Sequence, residues 1–173
     1  SPAPVTARVL DPERFESKPL AKDLDAPVRD VAPFGPGALL VLDRAGHRPL
    51  VFVPLGGGPP VDRIARGTVH AVHAAGSRVA VLRSRLARPP ELEVLGPGGR
   101  RLGRSALNAR LPAPEVGVRE VRARRPDGLE VHGFLVSPAD ASEPRPTVVF
   151  IHGGPAGAWT DGWHPRWNAP LFA

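Results

Sequence analysis

Apolar residues return along this chain in short bursts closed by glycine or proline, and the bursts repeat. Val28-Arg29-Asp30-Val31-Ala32-Pro33-Phe34 lies over Val69-His70-Ala71-Val72-His73-Ala74-Ala75 at an offset of 41 residues, with valine on valine twice. Ala38–Leu42 then falls on Val79–Arg83, Pro49–Val53 on Pro90–Leu95, and Val61–Ala65 on Arg100–Arg104. Glycines follow the third segment of each set, at Gly56 to Gly58 and at Gly98 and Gly99. Short runs of this kind read as strands joined by tight turns. Four of them per unit fit the blades of a β-propeller, which run about 40 to 50 residues each. A sandwich of regular antiparallel meanders would produce a similar text. Two blades do not close a ring, so further blades are expected before Ser1 or on another chain.

Outside the repeat the pattern differs at both ends. Residues 1–27 are expected to be irregular, because Pro2, Pro4, Pro12, Pro19 and Pro27 interrupt any helix, and only Val5–Leu10 has strand character. Beyond Leu111-Pro112-Ala113-Pro114, Val116–Ala123 and Leu129–Val136 are predicted strands flanking the tight turn Arg125-Pro126-Asp127-Gly128, which makes them a hairpin. A polar loop leads to Thr147-Val148-Val149-Phe150-Ile151, predicted as a buried strand, which breaks off into His152-Gly153-Gly154-Pro155. Trp159, Trp163 and Trp167 recur at helical spacing, but Gly157, Gly162 and Pro165 predict a loop over most of that stretch; residues 168–173 offer the entry to a helix. The fold class expected is mostly β. Residues 1–113 would be C-terminal blades of a β-propeller, and residues 114–173 the first strands of an α/β-hydrolase domain.

Composition narrows the partners. Cysteine, methionine and tyrosine are absent, so a disulfide framework and thiolate metal sites are excluded and a reducing, cytoplasmic setting is expected. No apolar run is long enough to span a membrane, and no membrane partner is expected. The net charge of +6 suggests a polyanion, yet the only lysines are Lys18 and Lys22 and the arginines are scattered. No basic cluster interleaves with stacking aromatics, which argues against nucleic acid. His70, His73 and His132 sit on strand patterns without a second ligand at metal spacing, so neither metal nor other cofactor is expected.

The chemistry concentrates after Ile151. In α/β-hydrolases a His-Gly-Gly turn after a central strand gives one backbone NH of the oxyanion hole, and the residue after the nucleophile gives the other. Gly153 and Gly154 are therefore the candidate catalytic residues, as amide donors. His152 belongs to the turn, since the general base of that architecture comes last in chain order. Trp159 and Trp163 are candidate substrate contacts, with bracing of the loop as the plainer role. Asp161 either meets a substrate amine or shapes the turn beside Gly162. No Gly-x-Ser-x-Gly occurs, and Gly103-Arg104-Ser105-Ala106-Leu107 lacks the closing glycine. The chain alone is expected to be inactive.

Three stretches, Pro126–Pro138, Val149–Pro155 and Trp163–Asn168 with Leu171–Ala173, come in an order that resembles the prolyl oligopeptidase family of serine peptidases, in particular its acylaminoacyl-peptidase and dipeptidyl-peptidase-like members. Arg88-Pro89-Pro90-Glu91-Leu92 is similar to a phrase common in the last blades of that family. The resemblance implies a propeller capping a hydrolase domain and admitting only peptides, with a Ser-Asp-His triad in sequence beyond Ala173. Its partners would be a peptide substrate and the remainder of the same enzyme, and a homo-oligomer is compatible with it. The competing reading is a non-catalytic propeller-type interaction module.

Overall fold

The computed structural model describes residues 6–20, 24, 26–112, 114–153 and 157–173. Among them strands dominate and no α-helix occurs. β1 (Arg8–Asp11) and β2 (Glu16–Pro19) form a hairpin; β3 (Val28–Phe34), β4 (Gly37–Leu42), β5 (Leu50–Pro54) and β6 (Val61–Ile64) form one four-stranded antiparallel sheet in chain order. β7 (Thr68–Ala75), β8 (Arg78–Arg85), β9 (Arg88–Leu95) and β10 (Arg101–Arg104) form a second with the same meander. β11 (Val116–Arg124) and β12 (Glu130–Pro138) pair as the predicted hairpin, closed by a turn in which Gly128 takes φ +86°. β1 overlaps the one stretch with strand character near the N-terminus. β2 lies in the part expected to be irregular, and owes its form to β1, which supplies its ladder partners.

Strand alternation sorts the side chains of the first sheet into two cores. Leu39 and Val41 of β4 join Leu50, Ile64, Val69, Val79, Val81 and Leu95 between the two sheets. Ala38, Leu40 and Leu42 point the other way and join Val51 and Val53 in a second core, against which Ala7, Leu20, Leu24 and Val28 pack. Every residue of β4 is consequently buried. Each large apolar side chain so enclosed contributes about 1.5–3 kcal/mol relative to exposure.

A bulge recurs at the same place in both units. Val28 pairs with Leu42 and Asp30 with Val41, leaving Arg29 unpaired; Val69 pairs with Arg83 and Ala71 with Leu82, leaving His70 unpaired. An extra residue reverses the alternation beyond it. Val69 therefore shares a core with Val72 and Ala74 despite the odd spacing. The bulged side chains also reach equivalent positions: Arg29 Nε donates to Asp43 at 2.6 Å, and His70 Nε2 lies 2.8 Å from Ser84 Oγ.

Thr147–Ile151 does not form the buried strand its composition predicts. Val148, Val149 and Ile151 are 64%, 73% and 84% exposed, and no strand among the described residues runs beside them. A run apolar on both faces is strand-stable when neighbours pair both edges and layers cover both faces, whereas here β12 is engaged along its length with β11. Only Phe150 finds aromatic partners, Phe172 at 5.2 Å and Trp167 at 6.0 Å between ring centres. Where the first strands of an α/β-hydrolase domain are expected, the described residues form a hairpin and an extended arm, and the helix entry expected at residues 168–173 is a single 3-10 turn, Ala169–Leu171.

Leu39→Ala, at a site with no exposure, should cost about 2–5 kcal/mol in urea unfolding. Leu107→Ala, at a position 82% exposed, should stay within about 0.5 kcal/mol.

Candidate functional site

Gly153 is exposed, with open space where a side chain would begin, and no hydrogen bond to its amide is formed among the described residues. Gly154 lies outside the described residues, as do Pro155 and Ala156. Gly157 lies close by, since a Cβ on it would sit 3.0 Å from the Gly153 carbonyl oxygen. His152 is exposed, and its Nδ1 faces the same spot at 3.7 Å.

Trp159 and Trp163 are half-buried and belong to a docked loop, not a helix. The Trp159 ring meets His164 edge-on at 5.9 Å, and its indole Nε1 is buried without a partner among the described residues. The backbone NH of Trp163 donates to Ser84 Oγ at 3.1 Å. His164 Nδ1 accepts from the amides of Arg166 and Trp167, at 3.1 and 3.0 Å, and so shapes the turn that follows.

Asp161 is the peg of this loop. Its amide donates to the Gly46 carbonyl at 2.7 Å, and its Oδ1 accepts from the Leu86 amide at 2.9 Å. Gly46 belongs to the turn before β5 and Leu86 to the turn between β8 and β9, so one residue fastens the arm to both sheets. Thr160 reinforces it through Thr68, whose Oγ1 lies 2.9 Å from its own. Gly162 is required there, since a Cβ would sit 2.9 Å from Thr68 Oγ1. Its place beside Gly162 suggests a substrate-amine contact or a local turn, whereas the structure makes Asp161 a long-range clip.

His47 lies beside the clip and carried no signal in the sequence. The Arg44–His47 turn, with Ala45 at φ +50° and Gly46 at φ +77°, places the imidazole inward, where only a tenth of it is exposed. Nδ1 accepts from the Gly67 amide at 3.2 Å, so Nε2 carries the proton and donates to Glu120 of β11 at 3.1 Å. The Phe134 ring of β12 packs edge-on against the imidazole at 5.6 Å. A side chain on Gly46 would press on that ring at 3.1 Å. Asp161 Oδ2 is 3.6 Å from Nδ1. The hydrogen bond from His47, with Arg66 and Arg122 nearby, holds the Glu120 carboxyl below its ordinary range against the opposing effect of desolvation.

Glu91, in the Arg88–Leu92 phrase, fastens the connection that leaves the second sheet. Its carboxylate takes the hydroxyl of Ser105 and, at 3.0 Å, the amide of Asn108, while Asn108 Nδ2 donates to the Pro90 carbonyl at 2.7 Å. These bonds hold its carboxyl below the ordinary value.

Asp161→Ala should strand the Leu86 amide and cost about 1–3 kcal/mol, seen as faster hydrogen exchange at Leu86 and Trp163 and red-shifted tryptophan emission. Because the folded pKa of Glu120 lies below its ordinary 4.5, its contribution to stability is fully present above that pH and is lost as pH falls through the depressed value. Glu120→Gln should flatten this acid limb in denaturation followed against pH.

No protein-family profile matches the chain. Dipeptidyl-peptidase 5 of Schizosaccharomyces pombe is 48% identical over 48 residues, which is 27% of this chain and 7% of that protein. Dipeptidyl-peptidase 5 of Aspergillus fumigatus is 44% identical over 46 residues, 25% of this chain and 6% of its own. Among solved structures, an acylaminoacyl peptidase in complex with Z-Gly-Gly-Phe-chloromethyl ketone superposes with TM-score 0.71 at 22% identity, over 88% of this chain and 24% of the other. The Pyrococcus horikoshii acylaminoacyl peptidase gives 0.68 at 22% identity, over 86% and 24%. A prolyl endopeptidase gives 0.67 at 16% identity, over 86% and 23%. The chain thus spans under a tenth of the curated relatives' length and about a quarter of that of the solved ones. Local sequence identity to dipeptidyl-peptidases and a fold shared with prolyl and acylaminoacyl peptidases support the resemblance to the prolyl oligopeptidase family, of whose members this chain matches a part.

Proposed function

We propose that this chain is part of a serine peptidase that hydrolyses peptide bonds of short or N-acylated peptides. Residues 1–113 supply propeller blades, and residues 114–173 open the peptidase domain. The observation that carries the reading is the extent of the structural likeness: 86–88% of the chain is more than residues 1–113 contain, so the likeness runs through both portions. The way Asp161 and His47 tie the arm and hairpin to both sheets suits a propeller mounted on a peptidase domain.

In this reading the Gly153 and Gly154 amides form one side of an oxyanion hole. A serine alkoxide adds to the substrate carbonyl, the carbonyl π electrons move onto oxygen, and the developing negative charge is met by an amide that needs no reorganisation. The exposed Gly153 amide suits that role. The serine, aspartate and histidine come from sequence other than this, and Trp159 and Trp163 stand at the border between arm and blades, where a peptide would be lined up. No cofactor takes part, and a cytoplasmic setting suits a chain free of cysteine.

A fluorophosphonate probe tests the reading. The polypeptide in which the source organism produces this sequence should be labelled and should turn over N-acylated or dipeptidyl chromogenic peptides. The 173-residue chain alone should do neither. Gly153→Pro, which deletes the amide, should lower kcat about 10²- to 10³-fold with KM little changed. Turnover by the isolated chain, or an unlabelled native polypeptide, would overturn the proposal.

A further inference from the structure

The tip of the β8–β9 hairpin carries two arginines in direct opposition. Arg85 and Arg88 are ladder partners across a two-residue turn, so their side chains leave the same face of the sheet. Like charges opposed in this way repel. Neither has an ion-pair partner among the described residues, and the same holds for Arg104 on β10.

These three line a hollow of about 410 Å³ together with Arg83 and Arg101. Two carboxylates share it, and both are already engaged. Glu93 is buried and lies 3.4 Å from Arg83 and 3.8 Å from Arg101. Glu91 is taken by Ser105 and Asn108. Arg83 donates through its terminal nitrogens to Glu93 and to the Arg66 carbonyl and is engaged in the same way. The hollow therefore holds an excess of guanidinium charge, and the donors of Arg85, Arg88 and Arg104 find no ion-pair partner among the described residues. The turn that presents Arg85 and Arg88 is held in place, since the Leu86 amide is fastened to Asp161.

Guanidinium forks match the oxygens of carboxylate and phosphate in pairs. We propose that this hollow is an oxyanion-binding site, taking phosphate or the carboxylates of an acidic peptide, with Arg85 and Arg88 as its paired contacts and Arg104 as a third. An anion between the paired arginines cancels their repulsion and closes donors left open in the free chain. The site stands on the blade surface and does not depend on the peptidase reading.

Calorimetric titration of the 173-residue chain with sodium phosphate, tetraglutamate and tetraglutamine tests it. Phosphate or tetraglutamate should bind, tetraglutamine should not, and the affinity should fall as salt is raised. Binding of phosphate alone assigns a free anion, binding of tetraglutamate alone assigns an acidic peptide, and binding of both assigns the shared chemistry. The Arg85→Gln/Arg88→Gln double variant should lose about tenfold or more in affinity, and Arg104→Gln less. Arg125→Gln, which breaks only a pair with Asp127 at the remote hairpin tip, should change nothing. Circular dichroism checks that each variant is folded, with Arg104→Gln carrying the test should the double variant unfold. Equal binding of tetraglutamate and tetraglutamine, no binding of either anion, or affinities indifferent to the arginine variants would overturn the site.

Discussion

Leu39 and Leu40 are neighbours in sequence and have no solvent exposure to speak of, yet they lie in different cores. The period of two in a strand sends one into the space between the four-stranded sheets and the other toward the N-terminal hairpin side. A sheet apolar on both faces has to be covered on both, and this constraint organises the rest. It explains why β4 is buried throughout and why the second sheet stacks where it does. It also explains why Ala7, Leu20 and Leu24, in a stretch with little strand signal, come to rest on the first sheet.

Polar contacts do what these cores cannot. Arg48 gives its amide to Gly67 and its carbonyl to Val69, which ties the residues before β5 to the start of β7. Asp161 spans the two turns at the same end, and His47 joins Glu120 and Phe134 from the hairpin to them. Hydrogen bonds of this kind are worth little net when made and much more when one partner is lost in a buried place. They therefore fix the relative placement of arm, hairpin and sheets more than they add stability.

The same end of the molecule collects its unusual charges. Glu120 is met by His47 and Arg66, while Arg85, Arg88 and Arg104 on the second sheet have no such answer among the described residues. Carboxylates near this end are spent on holding the structure together. Guanidinium groups are left over to meet something else.

The sequence alone determined the elements: a repeat of four strands per unit, a hairpin around Asp127-Gly128, and an irregular tryptophan-bearing loop. These follow from local rules, since alternation, glycine and proline act over a few residues. It also marked Gly153 and Gly154 through their flanking text, but not what surrounds them. Only the tertiary structure decided that Thr147–Ile151 lies exposed, because a strand apolar on both faces takes its stability from neighbours and not from itself. It alone displayed the paired bulges at Arg29 and His70, which come from register, and the bonds of His47 and Asp161 to residues 73 and 75 positions away. A histidine after a glycine and an aspartate before one look like any turn. What distinguishes them is the partner each meets once the sheets have stacked.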